Sequence, residues 1–252
     1  MSGIYVGVDG KARKVKGVYI GIDGKARKIK KGYIGDENGV ARLCWSDGKK
    51  LSEYTVGSIV YLNENGIPVE FYVAHHNYQS SLNGNGRTLL VRKDGYGKRQ
   101  WNSSNKNAYE TSTIDTWLNG EYKNLLDTKV KSTIGTTAFT CSLGEKGSSI
   151  GTLSRSVFLL SVTEMGLSYP NANVEGSPIS AASTIRILYA DGKATQQWTR
   201  SPSTNNNIHA LYMQMNASVG YSECVYSGIY VRPCFTLPRD TLFDEETNIF
   251  KG

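Results

Sequence analysis

The stretch GSIVYLNENGIPVEFYVAHHNY, residues 57–78, reads as two β-strands folded about a turn at Glu64-Asn65-Gly66. In its second half Val69, Phe71 and Val73 recur at every other position, which places them on one face of a sheet. Strand signals of the same kind continue in RTLLVRK (87–93), TIRILYADGKATQQWTRSP (184–202) and GIYVRPCFTLP (228–238). RSVFLLSVTEMG (155–166) reads as a buried strand running into a turn of helix. One region is helical: in TSTIDTWLNGEYKNLLDTKVKSTI (111–134), Ser112 or Thr113 can cap the start. Ile114, Trp117, Leu118, Tyr122, Leu125 and Leu126 then fall at helical spacing, with Gly120 between two short segments. Such a stripe is core-facing. The fold class is therefore α+β and β-rich.

The chain has 252 residues, with 27 Gly against 6 Pro and 16 Tyr, a composition suited to short strands and tight turns. No apolar run is long enough to span a membrane, and the first residues lack the apolar centre of a secretory signal, so folding in a cytoplasm is expected. The net charge of +7 is localised. Residues 1–50 hold 12 Lys and Arg against 5 Asp and Glu, whereas residues 51–252 hold 17 of each.

That basic opening is repetitive. IYVGVDGKARKVK (4–16), VYIGIDGKARKIK (18–30) and YIGDENGVARLCW (33–45) repeat a hairpin, with Tyr5, Tyr19 and Tyr33 spaced by 14. Asp9-Gly10, Asp23-Gly24 and Asn38-Gly39 supply the residues a two-residue turn with positive φ requires. A hairpin of this size is not stable alone and must stack on neighbours or on another chain. The domain reading that follows is basic hairpin repeats over 1–46, a polar linker over 47–54, a globular domain over 55–240 and a tail over 241–252. Tyr5, Tyr19, Tyr33, Arg13, Arg27 and Arg42 are the candidate attachment residues of the repeats. Lys and Arg there also serve the plainer purpose of blunting exposed strand edges. Stacking of nucleic-acid bases on the three tyrosines is a weaker alternative.

Sites of known chemistry are scarce. There is no GxxxxGK[ST] loop, HExxH or GxSxG. Cys44, Cys141, Cys224 and Cys234 lack metal-ligand spacing, so no metal and no cofactor is expected; Cys224 and Cys234 could face each other, but free buried thiols fit a reducing compartment. His75, His76 and His209 have no partner motif for a nucleophile, and the carboxylate pairs Glu110/Asp115 and Glu121/Asp127 fall on the helical stretch without reinforcement. No enzymatic activity is expected. The strongest binding candidate is the polar stretch STNNNIHALYMQMNASVGYSE (203–223), whose Asn, Ser and Tyr suit an adaptable recognition surface. Asn205, Asn206, Asn207, His209, Tyr212, Gln214, Asn216 and Tyr221 are its candidate ligand residues. Trp198, Arg200 and Arg232 have two readings, as a stacking and carboxylate-binding surface or as core and loop ties.

Four phrases in order, IDTWLNGEY (114–122), VFLLSVTEMG (157–166), WTRSP (198–202) and YVRPCFTLP (230–238), resemble an uncharacterised domain family of Gram-positive gut bacteria and their prophages. The resemblance covers roughly 55–240. Its closing order of Trp-x-Arg-Ser strand, polar insertion and Val-Arg-Pro strand is similar to the end of the C-type lectin-like fold, in which the insertion carries the ligand surface. The opening repeats look like segments at the start of phage tail-associated proteins. The resemblance implies a virion component of tail-fibre type, made in the host cytoplasm. It would attach through its repeats to other virion proteins or to itself as a trimer, and display a domain for a host-surface glycan or protein. The alternatives are a bacterial adhesion lectin and a capsid decoration protein. Neither membrane insertion nor nucleic acid belongs to this reading.

Overall fold

A computed structural model describes residues 5–8, 10–15, 18–29, 31–35, 41–46, 48–145, 147 and 149–252. The hairpin read from residues 57–78 is present: Ile59–Glu64 pairs antiparallel with Ile67–His76, and Asn65 and Gly66 take positive φ at its tip. It forms one side of a five-stranded antiparallel sheet. The order across that sheet is Ile59–Glu64, Ile67–His76, Arg87–Arg92, Cys234–Pro238 and Val157–Phe158. The architecture is β-rich and mixed α+β, with a curled sheet.

A second five-stranded sheet runs Gly97–Lys98, Tyr230–Val231, Gln197–Pro202, His209–Met213 and Val219–Glu223. Its pairings are antiparallel except where Gln197 meets Tyr230 in parallel. One core joins both sheets and contains Trp101, Trp198, Tyr109, Tyr122, Phe71, Phe139, Phe158 and Phe235. The helical region begins as its cap implies, with Ser112 Oγ accepting from the Asp115 amide at 3.2 Å and helix over Thr113–Trp117. It then widens into a π-helical turn at Leu118–Tyr122 around Gly120, which lets Leu118 and Tyr122 both point into the core.

Three differences from the sequence reading have physical causes. The strand expected within 155–166 is only Val157–Phe158, because Leu159 already donates its amide to the Tyr109 hydroxyl and the chain turns inward there. The stretch read as a linker and the stretch read as a tail are packed together. Lys49–Lys50 pairs with Leu242–Phe243, Leu51, Tyr54 and Phe243 are buried, and the Tyr54 hydroxyl donates to Asn248 Oδ1. Their polar surface residues hid three buried side chains spaced too irregularly to register as a strand or helix.

In the opening segment Tyr5–Val8 pairs with Lys11–Lys14, Val18–Ile22 with Lys25–Ile29, and Lys31–Gly35 with Ala41–Ser46. The registers place Val6 opposite Arg13, Ile20 opposite Arg27 and Ile34 opposite Arg42. Asp23 and Gly24 both take positive φ in the middle turn. The turn at Asn38-Gly39 and the side chains of Tyr5, Arg13, Arg42 and Cys44 lie outside the described part. Tyr19, Tyr33 and Arg27 are exposed, as are Ile20 and Ile22. No described helix is long and apolar enough to cross a membrane.

Candidate functional site

The strand Gln197–Pro202 is buried along its whole length and carries the polar stretch after it to the surface. His209–Met213 returns antiparallel beside it, and Val219–Glu223 then pairs with His209–Met213, bringing Leu211 opposite Tyr221. The connecting loop is held from below by one buried side chain. Asn107 Nδ2 lies 2.9 Å from the carbonyls of Ser203 and Asn206 and 3.0 Å from that of His209, while Asn107 Oδ1 accepts from the Glu145 amide. Its amide donates to the Asn207 carbonyl. Gly144 fits over this anchor, because a Cβ there would stand 2.4 Å from the Asn107 carbonyl oxygen.

Above the anchor opens a polar cleft of about 280 Å3 lined by Asn171, Ser203, Asn205, Asn206, His209 and Tyr221. The His209 and Tyr221 rings stack, with centroids 5.0 Å apart and planes at 28°. Tyr221 is 56% exposed, so one face of its ring is open to solvent. Ser203 donates to Asn205 Oδ1 at 2.7 Å, and the Ile208 amide donates to Asn206 Oδ1, which fixes both asparagines in the loop.

Four residues singled out from the sequence thus meet at one place: Asn205, Asn206, His209 and Tyr221. The others do not reach it. Gln214 donates to the Val219 carbonyl and Asn216 accepts from the Ser218 amide and hydroxyl, so both serve the 213–219 turn. Asn207 is exposed beside the cleft and contributes its carbonyl to the Asn107 anchor. Tyr212 packs edge-on against Trp198 at 6.0 Å and covers Gly220, and burial raises its phenol pKa. Asn171 and Ser203 were not singled out. Only the turn-rich composition around Pro170 hinted at a loop there, and nothing in it says which loop it meets.

Trp198 and Arg200 belong to the interior, where they make the second of their two readings. Trp198 is 1% exposed and donates Nε1 to the Arg99 carbonyl. Arg200 is enclosed completely. Its Nη1 reaches Glu164 Oε2 at 2.5 Å and the Leu159 carbonyl, its Nη2 the Thr140 carbonyl, and Phe139 lies under the guanidinium at 4.7 Å. Glu164 also accepts from the Tyr78 hydroxyl at 2.6 Å, from Gln79 and from the Ser161 amide, while Ser161 Oγ accepts in return from the Glu164 amide. Glu175 sits behind, taking hydrogen bonds from Ser201 Oγ and the Ser142 amide. Burial raises its pKa, the Arg200 charge opposing. The Ser-Val-Thr-Glu and Thr-Arg-Ser phrases are therefore the two halves of one buried polar cluster.

Of the other residues considered, Asp115 is paired with Arg155 at 2.7 Å, and burial nevertheless pushes its carboxyl up to about 6. His75 shares Nδ1 with the Ser180 hydroxyl and amide, and burial lowers its pKa. Cys141, Cys224 and Cys234 are free, buried thiols. Among the described residues no group of three His, Cys, Asp or Glu side chains is placed to hold a metal ion.

Comparison with curated proteins finds no match, and comparison with solved structures finds none either. A protein-family model does match, over residues 85–239, from just before the Arg87–Arg92 strand to the end of Cys234–Pro238 and across all the elements that build the cleft. The chain belongs to that family, described as a domain of unknown function (DUF6273).

Proposed function

We propose that residues 55–240 form a C-type lectin-like head that binds a glycan of a host cell surface, carried on a phage or phage tail-like particle by the hairpins of residues 1–46. The observation that carries the binding reading is the stacked His209–Tyr221 pair at the wall of an asparagine-lined cleft. An open aromatic face accepts the apolar side of a sugar ring, and fixed amides donate to its hydroxyls with little ordering cost. The lectin-like reading is supported by topology. The strand that opens the matched region, Arg87–Arg92, pairs with the strand that closes it, Cys234–Pro238, and the cleft sits on the insertion between the Gln197–Pro202 and Tyr230–Val231 strands.

The attachment reading rests on the opening hairpins, whose Tyr19, Ile20, Ile22 and Tyr33 are exposed. An apolar, basic set of small hairpins gains stability when it is covered by a partner. Titration of the full chain with host cell-wall polysaccharide fragments tests the first part. Saturable binding that Tyr221→Ala weakens by about tenfold or more, the loss of one good contact, is expected. Equal binding by wild type and variant removes the cleft from the reading. Mass spectrometry of purified particles tests the second part, and particles lacking the polypeptide would refute it.

A further inference from the structure

Among the described residues Arg200 and Arg232 are buried and Arg92 nearly so, and two of these three face acids. Arg200 meets Glu164, and Arg92 holds Glu64 through two nitrogens at 3.0 and 3.2 Å. Arg232 is different. It is 4% exposed, and its Nε, Nη1 and Nη2 donate to the backbone carbonyls of Arg92, Ile185 and Lys93 at 2.6, 2.6 and 2.7 Å. Among the described residues no carboxylate comes within ion-pair distance of it. A guanidinium has five N–H donors, and these bonds use three of them. A buried cation with no carboxylate in ion-pair contact is costly, and burial lowers its pKa to about 10, with the more distant Asp94 charge opposing.

Arg232 lines a cleft of about 300 Å3 together with Tyr72, Lys93, Asp94, Thr184 and Tyr189. This is on a different part of the molecule from the Asn205–Tyr221 cleft, with which it shares no lining residue. Its volume is at the small end for ligand sites. The Tyr72 ring lies 5.8 Å from the Arg232 guanidinium, Tyr189 is half exposed, and Lys93 is held at 2.6 Å by Glu70. Asp94 is exposed at the rim, where it disfavours a bare anion and accepts hydroxyls.

We propose that this cleft is a second binding site, for a single acidic sugar unit. Its carboxylate takes the remaining N–H donors of Arg232, its hydroxyls meet Asp94 and Thr184, and its ring rests on Tyr189. The carboxylate supplies the direct ion-pair partner that Asp94, farther off, does not, in a geometry arginine favours. Rings and a hydroxyl acceptor around one cation fit a polyhydroxylated acid better than phosphate or a simple carboxylate.

The test is titration of the full chain with D-glucuronate, read by the NMR signal of the Arg232 Nε–H, with D-glucose, acetate and inorganic phosphate as comparisons. Glucuronate is expected to shift that signal saturably, and each comparison to bind at least about tenfold more weakly. Because Arg232 ties three backbone segments, a replacement there can unfold the chain, so Tyr189→Ala at the half-exposed wall is the variant used, and it should weaken glucuronate by about tenfold. Absence of a saturable shift overturns the proposal, as does an equal affinity for acetate or phosphate. Binding that Tyr221→Ala abolishes and Tyr189→Ala leaves intact also overturns it, by assigning the acid to the other cleft.

Discussion

Arg200 shows how much one side chain decides. It joins the Thr140 and Leu159 carbonyls to Glu164 inside a volume with no water-facing surface. Arg200→Leu leaves Glu164 as an unpaired buried charge and is expected to cost about 3–5 kcal/mol in urea unfolding. Arg200→Lys should be nearly as damaging, because an ammonium cannot reach three directions in one plane. Asp115 gives a pH effect of definite sign. Its folded carboxyl holds a proton up to about 6 against the ordinary 3.8, so the stability it contributes is present below pH 3.8 and is lost as pH rises to about 6. Arg155 and Glu110 act on it with opposite sign. Asp115→Asn should flatten unfolding free energy over that window, by an amount on the order of 3 kcal/mol at most, measured by urea melts at successive pH. The thiols of Cys141 and Cys224 are pushed up to about 12 and that of Cys234 is raised as well, by burial. Alkylation at neutral pH followed by mass spectrometry should leave all three unmodified until the chain unfolds.

The individual elements differ in how far the sequence reveals them. Alternation in Ile67–His76 and the Asn65-Gly66 step are local signals, and both are found in the structure. So is the Ser112 cap, whose partner is three residues away. The roles of Trp198 and Arg200 stayed ambiguous because their partners, Arg99, Thr140 and Glu164, are supplied by distant segments that no local pattern links. The cleft was half legible for the same reason. Asn205, Asn206, His209 and Tyr221 belong to one polar stretch, whereas Asn171 comes from another loop and the Asn107 anchor from a third. The anchor is open to test. Asn107→Ala strips three carbonyls of their donor, and it should speed hydrogen exchange in residues 203–209 well before it affects the Arg87–Arg92 strand, at a stability cost of about 1–3 kcal/mol.

At the scale of the molecule, the buried core runs from Leu51 to Phe243. A chain starting at Lys49 keeps every residue of that core and should therefore unfold within about 0.5 kcal/mol of the full chain. Removing 241–252 takes away Phe243, which packs on Tyr54 and Phe250, and should cost about 3–5 kcal/mol. Comparison of the two truncations by thermal unfolding places the working boundary of the globular part. The side-by-side strands Arg87–Arg92 and Cys234–Pro238 have a consequence of another kind. The matched region enters and leaves at neighbouring points within one sheet, so its two ends are clasped together: its outlying loops can be rewritten while the clasp, and the Ile67–His76 strand beside it, stay the same.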